Sequence, residues 1–212
     1  MDLSQTLHDA PVACVIFALT IAISAIAFSS DLVYDKFILH PYEVYRGKGV
    51  YTIITSGFIH ADLMHLFFNM FTFFFFAFTL EARIGHWQFG LLYGLSLILS
   101  DLPSIVKHKD DIWYRSLGAS GAISAVIFSF IMFNPLAGMY LMMIPVAIPA
   151  IVFGVLYLVY CSYASKKQLG NINHDAHLFG ALSGVMITII MIPSQLPVFI
   201  HIITEKVQSI LH

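Results

Sequence analysis

Apolar residues run along this chain in blocks, and polar residues collect between the blocks. Residues 11–30 carry no charge and are long enough for a membrane-spanning helix, which needs about 20 apolar residues. A polar stretch with Asp31, Asp35, Lys36, Glu43, Arg46 and Lys48 follows and predicts a long first loop. The Phe-rich run 63–80 predicts a second span. Residues 86 to about 101 predict a short third one, ended by Pro103, with a charged loop over 107–115. From Ser116 to Ser165 there is no Asp, Glu, Lys, Arg or His. That stretch is too long for one crossing, and Asn134-Pro135 is a turn signal in its middle. The pattern predicts helices over about 119–133 and 138–163, the second kinked at Pro145 and Pro149. A polar loop over 166–175 leads to a sixth span over 177–192. In the tail, positions 199, 202, 203, 207, 210 and 211 are apolar, while Thr204, Glu205, Gln208 and Ser209 form the other face. That predicts an amphipathic helix lying at the interface. The expected architecture is an all-α polytopic membrane domain of six spans over 1–193 with a tail over 194–212.

Composition supports this picture. Hydrophobic residues make up 59% and charged residues 10%, against about 25% charged in a soluble domain. A net charge of −2 offers no basic surface for nucleic acid. Cys14 and Cys161 both sit in apolar runs, so no disulfide framework is expected. The first apolar run lacks a basic leader and further spans follow it, so a cleavable signal peptide is not expected.

Three groups of residues carry candidate chemistry. Ser120 opens one apolar segment between Gly118 and Gly121. Serine is a weak nucleophile until a base takes its proton. The glycines admit a substrate carbonyl close to the backbone, and a helix N-terminus favours a developing oxyanion. Taken alone, Gly-Ala-Ser-Gly reads first as a small-residue packing patch. His177 opens the last span, as a base or as an interfacial polar residue. Gly180 and Gly184 form a G-x-x-x-G face on the same helix. Close approach there would bring His177 toward Ser120. His65 and Asn69, spaced i, i+4, share a helix face and can both donate to an oxyanion; Asn69 could equally serve as interhelical glue. His60 lies off that face. A zinc site at His60 and His65 is disfavoured because the H-E-x-x-H spacing is missing. Glu81 and Arg83 suit either a solvated helix end or a loop anchor. His8, His40, His86, His108, His174, His201 and His212 take ordinary roles.

Together these residues resemble the rhomboid family of intramembrane serine proteases, over nearly the whole chain. Residues 55–70, with His60, His65 and Asn69, look like the family's second-span signature. Gly118-Ala119-Ser120-Gly121 matches its G-x-S-G motif, and Ala176-His177-Leu178-Phe179-Gly180 its A-H-x-x-G motif. The resemblance implies a rhomboid-like six-helix bundle in which Ser120 is the nucleophile and His177 the general base, without a carboxylate. The Ser120 backbone N–H, His65 and Asn69 would form the oxyanion hole. Gly118 and Gly121 would shape the loop and the helix contact, with His60 and Gly180 in support. It implies no cofactor and no metal, single-span or polytopic membrane proteins as substrates, and a multi-pass location in the lipid bilayer, expected to be a bacterial inner membrane. The first loop would lie partly embedded in the membrane, and the fifth span would gate substrate entry.

Three departures from the family pattern stand out. Tyr51 and Thr52 occupy the places where many members carry Trp-Arg, which leaves the first loop without its usual anchor. Ser124 occupies the place where some members carry an aromatic ring that stacks on the catalytic histidine, so His177 must be held by other contacts. Charge is the third. Lys36, Arg46, Lys48, Lys107, Lys109, Arg115, Lys166 and Lys167 follow odd spans, against Arg83 and Lys206 on the other side. The positive-inside rule would put the active-site end in the cytoplasm; the family arrangement puts it outside and is the one expected here.

Two other classes are weaker fits. A catalytically silent rhomboid-like protein that binds membrane clients usually lacks the serine or the histidine. A transporter would need charged residues in mid-span, and the longest apolar stretch has none; the internal repeat common in transporters is not evident either.

Overall fold

Pro11 sets the start of the first long helix, because its fixed φ suits the first helical position and its missing N–H costs nothing there. In the computed structural model, which describes residues 3–141, 144–170 and 172–211, this is α2 (Pro11–Phe28), preceded by the short α1 (Leu3–Asp9). The first loop is built from α3 (Asp31–Phe37), α4 (Pro41–Tyr45), α5 (Thr52–Thr55) and a 3-10 turn over Ser56–Phe58. Then come α6 (Leu63–Ile84) and α7 (His86–Lys107), joined at Gly85, whose φ of +98° suits a glycine. The chain ends with α8 (Ser120–Phe133), a hairpin of β1 (Gly138–Leu141) and β2 (Ile144–Pro149), α9 (Ala150–Lys167), α10 (His174–Met191) and α11 (Gln195–Leu211). His212 lies outside the described residues.

Helices α2, α6, α7 and α10 are long and apolar enough to cross a membrane. Helix α8 has 14 residues, about 21 Å at 1.5 Å per residue, against a hydrocarbon core of about 30 Å. It is the axis of the bundle. Apart from Ser120 and Phe130 every residue of α8 is buried, as befits a helix that is apolar on all sides. It packs against α6, α7, α9, α10 and α11. Polar side chains join the helices: Ser183 Oγ and Ser96 Oγ are hydrogen-bonded at 3.1 Å, Thr188 Oγ1 and Ser129 Oγ at 2.7 Å, and the Gln195 amide donates to the Met132 carbonyl (2.8 Å). Such bonds hold where no water competes.

Two expected elements are different in the structure. The third span does not end before Pro103; α7 continues through it to Lys107. A proline removes one donor, and neighbouring groups in a helix bundle can compensate. The stretch 138–163 is not one kinked helix. Its first part is an antiparallel hairpin with Gly138 opposite Pro149 and Tyr140 opposite Ala147. Prolines 145 and 149 lack the N–H that a helix interior needs, so the helix starts after Pro149, which stands at its N-cap. The first N–H groups of α9 are taken up by the preceding turn: Ala150 N donates to Ala137 O (2.9 Å) and Ile151 N to Pro135 O (2.8 Å).

Glu81 is an anchor, not a solvated helix end. Its carboxylate is fully buried and accepts from the backbone N–H groups of Val12 (3.0 Å) and Ala13 (2.6 Å), with His86 Nδ1 at 2.8 Å. It thereby satisfies two orphan donors of α2 and places negative charge at that helix's positive end. Arg83 lies over the Phe133 ring.

The first loop is held without the Trp-Arg pair. Leu39 and Ser116 exchange two backbone hydrogen bonds (3.0 and 3.1 Å), and Gly118 N donates to Ser56 O (2.9 Å). Arg46 donates to the Lys109 carbonyl and reaches Asp110 at 3.2 Å. The segment leading into α8 is thus clamped to the loop on one side.

Candidate active site

Gly118 decides how the chain enters α8. Its φ of +110° strains any residue with a side chain. A Cβ there would also lie 2.7 Å from His65 Cε1 and 2.9 Å from Nε2. The absent side chain lets the His65 ring rest on the backbone two residues before Ser120. Ser120 is the first residue of α8, and no side chain caps that terminus. Its first-turn N–H groups therefore keep their polarity for a negative charge nearby.

Asn173 positions α10. Its Oδ1 accepts from Ala176 N (3.0 Å) and from the Ser104 hydroxyl (3.0 Å), and its Nδ2 donates to Ser116 Oγ (3.1 Å). One side chain caps α10 and ties it both to α7 and to the segment entering α8. Lys107 adds a contact to Asp175 at 2.6 Å, and Ser165 of α9 donates to the same carboxylate. His177 follows one turn into α10.

Glycines then bring α10 onto α8. A Cβ on Gly180 would lie 2.1 Å from Gly121 O, and one on Gly184 would lie 2.3 Å from Ala125 O. A Cβ on Gly121 would meet Ser100 Oγ at 2.4 Å. Backbone touches backbone at this crossing, with Ser120 and His177 at the same end of it.

Ser120, His177, His65, Asn69, Gly118 and Gly121 all line one cavity. Its volume of about 2270 Å³ exceeds the 300–1,000 Å³ or so of small-molecule pockets. Asn69 is buried and donates one amide hydrogen to His65 O (2.9 Å), which leaves the other available. Among the described residues no hydrogen bond joins Ser120 to His177. Catalytic contacts of this kind are often loose without substrate.

His60 does not face the cavity. It is fully buried, with Nδ1 2.9 Å from Ser24 Oγ, and its ring meets His65 edge to face at 4.9 Å. The Ser24 hydroxyl donates to Phe58 O (2.9 Å), so His60 Nδ1–H is the donor to Ser24. Burial, with His65 beside it, holds the His60 imidazole down to about 3. It is a neutral prop that joins α2 to the turn before α6 and supports the ring of His65.

The contact that holds His177 comes from α9. The Tyr157 ring lies 17° from parallel with the imidazole at 6.3 Å. Its hydroxyl is 2.7 Å from Ser124 Oγ, and Ser124 donates its own proton to Ser120 O (2.8 Å). A hydroxyl has one proton to give, so Tyr157 donates to Ser124. Sequence reasoning missed Tyr157, because nothing in the periodicity of α9 marks it among Tyr160 and Tyr163. It also missed Asn173, although an Asn three residues before Ala176 is a helix-start signal. Cys161, His174 and His177 bring metal-type donor atoms within 4.8 Å of one another.

Comparison with known proteins gives the family. A family model described as the rhomboid domain matches residues 47–194. The chain is 33% identical over 145 residues to YdcA of Bacillus subtilis (strain 168), which bears the name of a rhomboid protease, with 66% of each chain covered. It is 26% identical over 170 residues to RHOMBOID-like protein 12, mitochondrial, of Arabidopsis thaliana, covering 73% of this chain and 50% of the relative. It is 30% identical over 145 residues to Rhomboid protein 1, mitochondrial, of Saccharomyces cerevisiae, covering 64% and 40%. The matches span from two fifths to just under two thirds of these relatives' lengths.

Proposed function

Since the chain belongs to the rhomboid family, we propose that it is a serine endopeptidase that cuts membrane proteins in or near their transmembrane segments. Helices α2, α6, α7, α8, α9 and α10 act as the six spans, with α8 short because it is enclosed by the others. Residues 1–193 form the catalytic unit, and α11 lies at the membrane interface. The protein is an integral membrane protein, placed here in a bacterial inner membrane with the active-site end outside. Its substrates are single-span or polytopic membrane proteins.

Ser120 Oγ attacks the scissile carbonyl carbon as His177 takes the hydroxyl proton. The carbonyl oxygen becomes an oxyanion, met by the Ser120 backbone N–H, His65 and the free Asn69 amide hydrogen. His177 then passes its proton to the leaving amine nitrogen, and the C–N bond breaks. Water, deprotonated by His177, hydrolyses the acyl-Ser120 ester and restores both side chains. No carboxylate is assigned to orient the base; Tyr157 takes that part by stacking.

The observation that carries this reading is the backbone contact of Gly180 with Gly121, which supports placing a nucleophile and a base at one end of one crossing. The non-proteolytic reading, a client-binding relative, has in its favour only the absence of a direct Ser120–His177 bond. One experiment separates the two. The purified protein in detergent is offered a single-span model substrate beside a Ser120→Ala control, and a fluorophosphonate probe is added to each. Cleavage and labelling that depend on Ser120 are expected; neither would occur in a client-binding protein.

A further inference from the structure

Beside His177 sit two groups that peptide hydrolysis does not use, Cys161 and His174. Cys161 comes from α9, and His174 and His177 come from one face of α10, three residues apart. One sulfur and two imidazole nitrogens lie within 4.8 Å of one another, with Cys161 and His174 buried. His174 is only 4% exposed. Its Nε2 meets the Leu169 carbonyl at 3.1 Å, which fixes the proton on that nitrogen. Its Nδ1 is buried and has no hydrogen-bond partner among the described residues. A lone pair in such a place costs free energy unless something uses it. A histidine whose other ring N–H is held by a backbone carbonyl has the orientation usual for metal ligands.

We propose that Cys161, His174 and His177 form a binding site for a soft divalent metal ion such as Zn²⁺, and that occupancy switches the protease off. Thiolate and imidazole are the donors that zinc prefers, and three protein ligands with a fourth open position make a recognised site. Tetrahedral zinc needs donors about 3.3–3.6 Å apart, so closure by about 1 Å through side-chain rotation completes it. His174 and His177 line the active-site cavity, which gives the ion its path, with Cys161 behind them. On binding, the Cys161 thiol releases its proton to solvent.

The inhibitory consequence rests on the protease reading. A neutral imidazole has one lone pair. When the metal takes it, the other nitrogen carries hydrogen, and nothing is left on His177 to accept the Ser120 proton. The arrangement therefore makes the protease sensitive to free zinc through the very residue that performs its chemistry.

The test uses full-length protein without a histidine tag. Co²⁺ is added as a spectroscopic probe to the Ser120→Ala protein, in which turnover plays no part. One equivalent should bind with a thiolate-to-cobalt charge-transfer band, and Zn²⁺ should displace it. The band should vanish in Ser120→Ala/Cys161→Ser. In the active protein Zn²⁺ should inhibit cleavage and a chelator should restore it. The half-inhibitory concentration, scaled to each variant's own metal-free rate, should rise about 10–100-fold in Cys161→Ser and in His174→Ala. Zinc sensitivity unchanged from the wild type in both variants, or no thiolate band at saturating cobalt, overturns the site. Should the wild type cleave nothing, the protease reading fails separately and the cobalt spectrum still decides the metal site.

Discussion

The Tyr157 ring and the His177 imidazole lie nearly parallel, 17° and 6.3 Å apart, and the tyrosine reaches that position from α9 rather than from α8. The ring that some relatives place four residues after the nucleophile is supplied here by another helix. The serine at that place, Ser124, holds the tyrosine's hydroxyl. Tyr157 acts on the chemistry only through His177, as a positioning residue. Tyr157→Leu should lower kcat by about 10–100-fold, since a misplacement of about 1 Å can cost that much, with a smaller change in KM and an altered pH profile of kcat/KM. Tyr157→Phe keeps the ring plane and should recover most of the loss. A Leu variant with wild-type kcat and an unchanged pH profile would show that the stacking is incidental.

Ser120→Ala and His177→Ala should each abolish cleavage while the protein still folds. One removes the attacking oxygen and the other the group that activates it. The check is cleavage of a model substrate with a melting curve for each variant; substantial cleavage by either would remove the dyad assignment.

His65→Ala should cost on the order of 10²–10³ in kcat as a lost oxyanion donor. It also removes the ring packed on Gly118. Asn69→Ala should cost less, because one of its amide hydrogens is already given to His65 O and backbone donors remain. Unchanged kcat in both variants would make these second-span residues purely structural.

Gly180→Ala tests the crossing with a single methyl group. Its Cβ would overlap the Gly121 carbonyl, which is backbone and cannot swing aside. Overpacking of this kind costs about 1–3 kcal/mol, and the displaced α10 carries His177 with it. A lower melting temperature together with at least about 100-fold lower activity is expected. A fully active, fully stable variant would mean that α8 and α10 are not in backbone contact.

Glu81→Gln should affect stability alone. The amide keeps one acceptor for the Val12 and Ala13 N–H groups and turns its own NH₂ toward the other. Loss of a charge-assisted bond to a buried group costs about 1.5–3 kcal/mol. Thermal unfolding in detergent should fall accordingly, with cleavage at low temperature unchanged. An unshifted melting temperature would show that α2 is held by other contacts.

The helices bearing the candidate chemistry were legible in the sequence because their signals are local. Small residues around Ser120, and a histidine followed by Gly180 and Gly184, mark both the chemistry and the close approach. The observed α8 begins within one residue of its expected start. What was not legible depends on distant partners or on ambiguous apolar runs. A stretch without charge does not distinguish strand from helix, so the β1–β2 hairpin read as helix. Glu81 could be assigned only once Val12 and Ala13 were seen against it. Tyr157 and Asn173 act across helices, and His174 looked ordinary until its Nδ1 was found buried and unpartnered.

The location of Tyr157 on α9 has a consequence for timing. The proposed nucleophile and base belong to α8 and α10, which are locked backbone to backbone, whereas the proposed brace for the base rides on the helix beside them. A polypeptide that wedges α9 aside on entering would withdraw that brace in the same movement. The site would then be slack just after arrival and would become competent only as α9 settles back around its guest. A segment that left quickly would escape uncut and one that lingered would be cleaved, so selection would act through dwell time as well as through shape.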